Sequence, residues 1–449
     1  MRGYVKINNN SLKCQKLLGD YTMIIKRDYY LNELIRKRNN GLIKIITGIR
    51  RCGKSFLLFE LFRSYLLAHG ISEQNIITLS LEDDTSARYR NPLELGEYIR
   101  SRIVDENAEY IIMLDEIQNV KEVKNPWLEG DTIGFVDVLL SLMKIKNADI
   151  YITGSNSKML SSDIVTSFRD RGDEVRLYPL TYREYHSAYS GNERDCWREY
   201  YTYGGLPRVL SLPTHGEKMS YLRNLLENTY KRDVLERHQI RNDKNALDDL
   251  LNIVASSVGS LTNPTKLSNT FKSVKGASIN PTTISKYLDY LIEAFIIDNA
   301  YRYDIKGKKY IDTPLKYYFT DVGLRNAHLN FRQLEENHIM ENIIFTELKV
   351  RGYSVDVGML EHRQSNGTRK YLEVDFIASA GYKKYYVQSA LSIDEPEKHR
   401  QEIQPLVNIP DSFKKIVIVR EHIMPFTDEN GIAYIGIEDF LLDENSLDV

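Results

Sequence analysis

The segment Gly48-Ile49-Arg50-Arg51-Cys52-Gly53-Lys54-Ser55 constrains this chain more than any other part of it. A short apolar run, Leu42 to Thr47, precedes it, and an apolar stretch with helical period, Ser55 to His69, follows. Strand, glycine-bounded loop and helix, with the spacing G-x-x-x-x-G-K-[ST], form a phosphate-binding arrangement. Glycines let the backbone wrap closely around phosphate oxygens, and loop N–H groups with the positive helix end meet their charge. On this reading Gly48, Ile49, Arg50, Arg51, Cys52, Gly53, Lys54, Ser55 and Phe56 line a nucleotide. Lys54 would reach the β and γ phosphates, and the Ser55 hydroxyl would ligate magnesium. ATP and Mg2+ are the cofactors expected. The bland alternative, a chance glycine turn, is disfavoured by the strand and helix on either side.

A second pattern fits the first. Asp115 and Glu116 follow Tyr110 to Leu114, a run read as a buried strand. A strand covered on both faces delivers its terminal acid to the sheet edge where ligands sit. Asp115 would hold magnesium, and Glu116 would orient and deprotonate the attacking water. An acidic pair ending a strand is by itself a solvated strand end; about 60 residues after a phosphate loop it means more. Ser155 and Asn156 follow the strand Ile150 to Thr153. They either sense the γ phosphate or cap a helix. Arg169 and Arg171 precede a strand at Glu174 to Tyr178. Each is a solvated basic turn residue or a cation reaching a neighbouring subunit's nucleotide.

Further strand candidates at Asn75 to Leu81 and helices at Leu93 to Ile103 and Phe135 to Ile145 complete an alternating order. That order predicts an α/β fold with a parallel sheet covered on both faces. The chain's 449 residues exceed what one core usually holds. Three units are expected: an ATPase core over 1–180, a helical middle over 181–312 and a C-terminal α/β domain over 313–449. The balance of 60 basic against 62 acidic residues gives no global field to draw in nucleic acid. Cys14, Cys52 and Cys196 are too dispersed for a zinc cluster or disulfide framework. No apolar run reaches the length of a membrane span and the first ten residues carry no signal-peptide core, so the cytoplasm is expected, without a membrane partner.

Several stretches together resemble the AAA-type ATPases of bacteria and archaea that carry a C-terminal domain of unknown function of the DUF4143 type. They are Thr47 to Ser55, Leu114-Asp115-Glu116-Ile117-Gln118, Ile152 to Ser157 and Leu177-Tyr178-Pro179-Leu180. Tyr203-Gly204-Gly205-Leu206-Pro207 and Tyr317 to Arg325 complete the set. The resemblance implies a P-loop core of the nucleotide-switching kind, with Ser155 or Asn156 as its sensor and Arg171 as a candidate arginine finger. It also implies a winged-helix-like middle segment. There Ser278 and Asn280 would cap a helix presenting Thr282, Thr283, Ser285 and Lys286 over a core of Ile284, Leu288, Leu291 and Ile292.

The C-terminal domain resembles a restriction-endonuclease-like fold. Glu341 and Asp375, after Leu372-Glu373-Val374, are its expected acids. The next strand should carry an acid, one residue, then lysine. It carries Gln388, Ser389 and Ala390, so metal ligand and cation are both expected to be missing from that strand and the domain inactive, unless a lysine arrives from another element such as Lys398 on the following helix. The functional expectation is Mg-dependent ATP hydrolysis driving a switch on DNA or a protein partner, in a homo-oligomer or a partnered chain. The alternative is an ATP-stabilised interaction module with slow turnover. An ATP-dependent nuclease ranks last.

Overall fold

The chain, seen in a computed structural model, is described over residues 24–155, 171–240, 244–276, 279–363 and 368–448. Strands β1 (Ile43–Thr47), β2 (Ile76–Ser80), β3 (Tyr110–Asp115), β6 (Ala148–Gly154) and β7 (Gly172–Arg176) form a parallel sheet in the order β2-β3-β6-β1-β7. A short hairpin, β4 (Val123–Lys124) with β5 (Thr132–Ile133), stands apart from it. Every residue of β1 and β3 is buried, as a sheet covered on both faces requires. Alternation along the strands divides the core. Ile43, Ile45, Ile112 and Leu114 pack with Leu95, Ile99, Val138 and Leu139 of the helices Pro92–Arg102 and Phe135–Leu142. Ile46, Ile111 and Met113 face the other way, onto Leu57, Leu58, Phe62 and Leu66 of a helix over 54–68. Lys44, an odd residue for such a strand, is neutralised by Asp149 and lies 4.8 Å over the Tyr151 ring.

The second core face does not stop at the sheet. It continues through the helices Tyr182–Ala188 and Glu193–Tyr203, a helix over 215–237, and Lys244–Ser256, Pro264–Lys275 and Pro281–Glu293. Thr181 and Thr214 start two of these helices through reciprocal capping with Glu184 and Glu217. Asn280 caps Pro281–Glu293 by accepting the Thr282 N–H at 2.9 Å, and Ile284, Leu288 and Leu291 are buried as expected. Ser278 lies outside the described residues.

A second sheet follows, of β8 (Ile297–Asp304), β9 (Lys309–Phe319), β10 (Ser354–Arg363), β11 (Arg369–Ala380), β12 (Lys383–Ala390), β13 (Lys414–Val419), β14 (Phe426–Thr427) and β15 (Ile432–Gly436). Its order is β14-β15-β13-β12-β11-β10-β8-β9. The division expected at 312/313 therefore falls inside β9. The hairpin β8–β9 belongs with the C-terminal sheet because β8 pairs in parallel with β10. Among the described residues no helix is long and apolar enough to cross a membrane.

Candidate active site

The loop after β1 is shaped by what glycine permits. Gly48 and Gly53 take φ of 140° and 102°. A Cβ on Gly48 would stand 2.1 Å from the Leu177 carbonyl oxygen. Behind the loop, buried Arg27 donates to the carbonyl oxygens of Cys52 at 3.1 Å and Tyr178 at 2.7 Å, and to Glu184 Oε1 at 3.0 Å. Arg27 sits in no motif that marks it in the sequence. Cys52 is fully buried with Sγ 3.6 Å from the Leu177 carbonyl oxygen, and burial pushes its thiol pKa up. Lys54 is buried at the start of the following helix, its Nζ donating to the carbonyl oxygens of Gly48 at 3.0 Å and Ile49 at 3.3 Å.

Parallel pairing brings the ends of β1, β6 and β3 to one edge, with β6 between the other two. Ser55 Oγ donates to Asp115 Oδ2 at 2.8 Å, joining residues 60 apart in sequence. Thr153 Oγ1 donates to Asp115 Oδ1 at 2.5 Å and accepts the Glu116 N–H at 3.0 Å. Burial raises the Asp115 pKa, while the Thr153 and Ser55 hydrogen bonds oppose that shift. A serine hydroxyl and a carboxylate side by side are the hard oxygen donors that magnesium takes, so Ser55 and Asp115 fit that ion. Thr153 was read from sequence only as strand. The signal it offered, a hydroxyl on a buried strand beside the acidic one, has meaning only once β3 and β6 are known to pair.

Glu116 has a left-handed backbone, φ 53°, a conformation that costs energy outside glycine and gathers at functional sites. Its carboxylate accepts from Gln118 Nε2 and, at 3.3 Å, from Ser155 Oγ. Ser155 is buried. Asn156 and Arg169 lie outside the described residues. Arg171 is exposed, and its carbonyl oxygen accepts the Ile43 N–H at 2.9 Å. That contact is at the start of β1 and β7, whereas the loop leaves the far end of β1. Arg171 is thus not brought to its own chain's phosphate loop.

The helix over 215–237 reaches the loop. Tyr230 donates its hydroxyl to the Arg50 carbonyl oxygen at 2.6 Å, and Asp233 Oδ2 pairs with Arg50 Nε at 2.8 Å. Arg50 Nε also lies 3.4 Å from Ser155 Oγ. Nothing local in the sequence marked Tyr230 or Asp233.

In the C-terminal sheet the expected acids do meet, and the cation absent from β12 arrives from another element, though not from Lys398. Buried Lys316 of β9 places Nζ 2.8 Å from Glu341 Oε1, 2.8 Å from Glu373 Oε1 and 3.5 Å from Asp375 Oδ1. Lys316 comes from β9, at one edge of the sheet that also holds β11 and β12. Asp375 is pushed up to about 7 by burial and then by Glu341, against the pull of Lys316. Gln388 accepts the Asp375 N–H at 3.3 Å and donates to Glu402 at 3.1 Å. Glu341, Asp375, Gln388 and Glu402 line a cleft of about 400 Å³.

Residues 40–186 match an AAA domain, and residues 194–335 match a domain of unknown function, DUF8612. The second match covers the middle helices and the first hairpin of the second sheet, not the C-terminal stretch where the resemblance had put an unknown domain. An uncharacterized protein of Haemophilus influenzae is 34% identical over 424 residues, 93% of this chain and 99% of that protein. The uncharacterized protein MJ1544 of Methanocaldococcus jannaschii is 27% identical over 396 residues, 84% and 80% of the two chains. Among solved structures, the Walker-type ATPase PABY2304 of Pyrococcus abyssi is similar at 16% identity, covering 68% of this chain and 96% of that one with a TM-score of 0.47.

Proposed function

Since the chain belongs to the family of the Haemophilus influenzae protein and carries an AAA-type P-loop domain, we propose that it binds ATP with magnesium and hydrolyses it. The observation that carries this reading is the 2.8 Å hydrogen bond from Ser55 to Asp115, which puts loop and acid in one site. Lys54 would leave its loop carbonyls for the β and γ phosphates. Ser55 and Asp115 would hold magnesium, which neutralises phosphate charge when bound. Glu116 would take a proton from a water whose oxygen attacks the γ phosphorus. The bond from that phosphorus to the bridging oxygen breaks, and ADP leaves with the oxygen's electron pair. Ser155, already bonded to Glu116, would orient the base or the water, with Asn156 next to it in sequence as the other candidate. Arg171 could act only on a neighbouring chain's nucleotide, in a homo-oligomer.

The expected output is a conformational switch on DNA or a protein partner. Supporting it are the contacts of Tyr230 and Asp233 with the loop, and a capped helix, Pro281–Glu293, that exposes Thr282 and Lys286 in front of a hairpin. That helix and hairpin are the winged-helix-like feature of the reading. The nuclease-like reading of the C-terminal domain rests on the acids gathered at Glu341 and Asp375. The slower alternative, an ATP-stabilised interaction module, is favoured by one observation: Glu116 is already tied to Gln118 and Ser155. Calorimetric titration and steady-state phosphate release decide between them. Lys54→Ala is expected to abolish tight ATP binding, and Glu116→Gln to bind ATP while turning over at least about 100-fold more slowly. Equal ATP affinity in Lys54→Ala, or undiminished turnover in Glu116→Gln, would overturn the assignment of those residues.

A further inference from the structure

We propose that Arg50 stabilises the charge of the transferring phosphoryl group within its own chain, and that Asp233 restrains it from the middle helix. The inference rests on the ATPase reading above. It begins with position. Arg50 lies inside the phosphate loop, and its Nε is 3.4 Å from the Ser155 hydroxyl, which is 3.3 Å from the Glu116 carboxylate. One hydroxyl therefore separates this guanidinium from the base. A water activated by Glu116 has to lie within hydrogen-bond reach of it, with the attacked phosphorus just beyond. That is within range of an arginine side chain rooted in the loop. A guanidinium is permanently charged and offers a planar fork of donors matched to phosphate oxygens.

Among the described residues, Arg171, the arginine read from sequence for this task, does not reach its own chain's loop. Arg171 is at the start of β7, separated from the loop by the length of that strand, roughly 13 Å for four residue steps. Arg50 is instead gripped at both ends by one turn of the helix over 215–237. Tyr230 holds its carbonyl oxygen at 2.6 Å, and Asp233 holds its Nε at 2.8 Å. The Asp233 carboxylate competes with phosphate oxygens for the same donor. A shift of this helix changes where Arg50 points, and loading of the site feeds back on the helix through the same residue. Asp233 is a positioning residue and Arg50 the catalytic one.

The test uses the full chain, steady-state phosphate release over a range of protein concentrations, and calorimetric affinity for a non-hydrolysable ATP analogue. Arg50→Ala is expected to lower kcat by at least about 100-fold, against the roughly 1,000-fold or more that an arginine finger contributes, with analogue affinity kept within about threefold. Retained analogue binding also shows that the variant is folded. Arg50→Lys should recover only part of the loss. Asp233→Asn should raise kcat severalfold, a direction that merely weakened packing would not produce. Wild-type turnover per chain should not depend on protein concentration. Unchanged kcat in Arg50→Ala, or affinity lost in step with turnover, overturns the catalytic role. A fall or no change in Asp233→Asn overturns the restraint. A wild type with no turnover sinks the ATPase reading itself, whereas turnover that survives Arg50→Ala sinks only this proposal.

Discussion

Asp321 is 3% exposed and stands where three segments meet. Its carboxylate accepts the N–H groups of Gly205 at 2.8 Å and Leu324 at 3.0 Å. Burial nevertheless outweighs these bonds and raises its pKa to about 6. An acid raised in the folded state holds a proton that the unfolded chain has already released. Its contribution to stability therefore declines as pH rises from near the ordinary aspartate value, about 3.9, to about 6, and is level above that. Asp321→Asn should remove that part of the pH dependence, on the order of 1–3 kcal/mol. Urea melts from pH 4 to 8 check this. An identical slope in variant and wild type would place the pH dependence elsewhere.

Between elements, two stretches that looked like signatures turn out to be one joint. Tyr203-Gly204-Gly205-Leu206-Pro207 ends the helix Glu193–Tyr203, and Tyr317 to Arg325 runs from β9 into the helix Val322–His328. Asp321 bonds the first to the second, and Leu180 N–H donates to the Gly205 carbonyl oxygen at 2.7 Å, tying in the end of the ATPase core. A Cβ on Gly205 would lie 2.2 Å from the Leu180 carbonyl oxygen, a contact with backbone that no side-chain rotation can relieve. Gly205→Ala is expected to destabilise the protein by about 1–3 kcal/mol, the range for overpacking. Calorimetry would show this as a lowered Tm for the chain, and an unchanged Tm would mean the joint gives way easily. The helix Pro281–Glu293 was legible from sequence because its cap and apolar period are local. Its neighbour β9 was not. No strand was read there, a unit boundary was placed at 312/313 inside it, and the charged residues Lys309, Asp312 and Lys316 broke the strand pattern.

Across the whole molecule, the Lys316 cluster bears on what the C-terminal sheet can do. β12 carries no lysine near its active end and β9 supplies one, yet the expected outcome is still no cleavage of DNA. The Lys316 ammonium already fills the space between Glu341, Glu373 and Asp375. A divalent ion would have to displace a buried charge that holds three partners. Gln388 in place of a carboxylate is a weak ligand, and its own hydrogen bonds are committed to Asp375 and Glu402. Hydrolysis of a phosphodiester needs the metal to polarise phosphate and generate hydroxide. Supercoiled plasmid and single-stranded DNA incubated with the protein, ATP and magnesium or manganese should remain uncut. Cutting that disappears in Asp375→Ala would overturn this.

What the sequence determined by itself is, above all, what is encoded locally along the chain. The strand, glycine loop and helix at 42–69, the apolar strands of the first sheet and the capped helices are all local patterns of period, glycine and cap, and local physics writes them directly into the residue order. Sequence also brought Ser55 and Asp115 together, because a phosphate loop and an acid-ended strand imply the same sheet edge. Tertiary structure alone decided which side chains from distant segments share that edge. Thr153 reaches Asp115 only because β6 lies between β1 and β3. Arg50 meets Asp233 only because one core runs unbroken from the sheet into the middle helices. Lys316 reaches its acids from the edge strand of the sheet that carries two of them. Each of these contacts depends on strand order or on packing between units, and no periodicity along the chain records either.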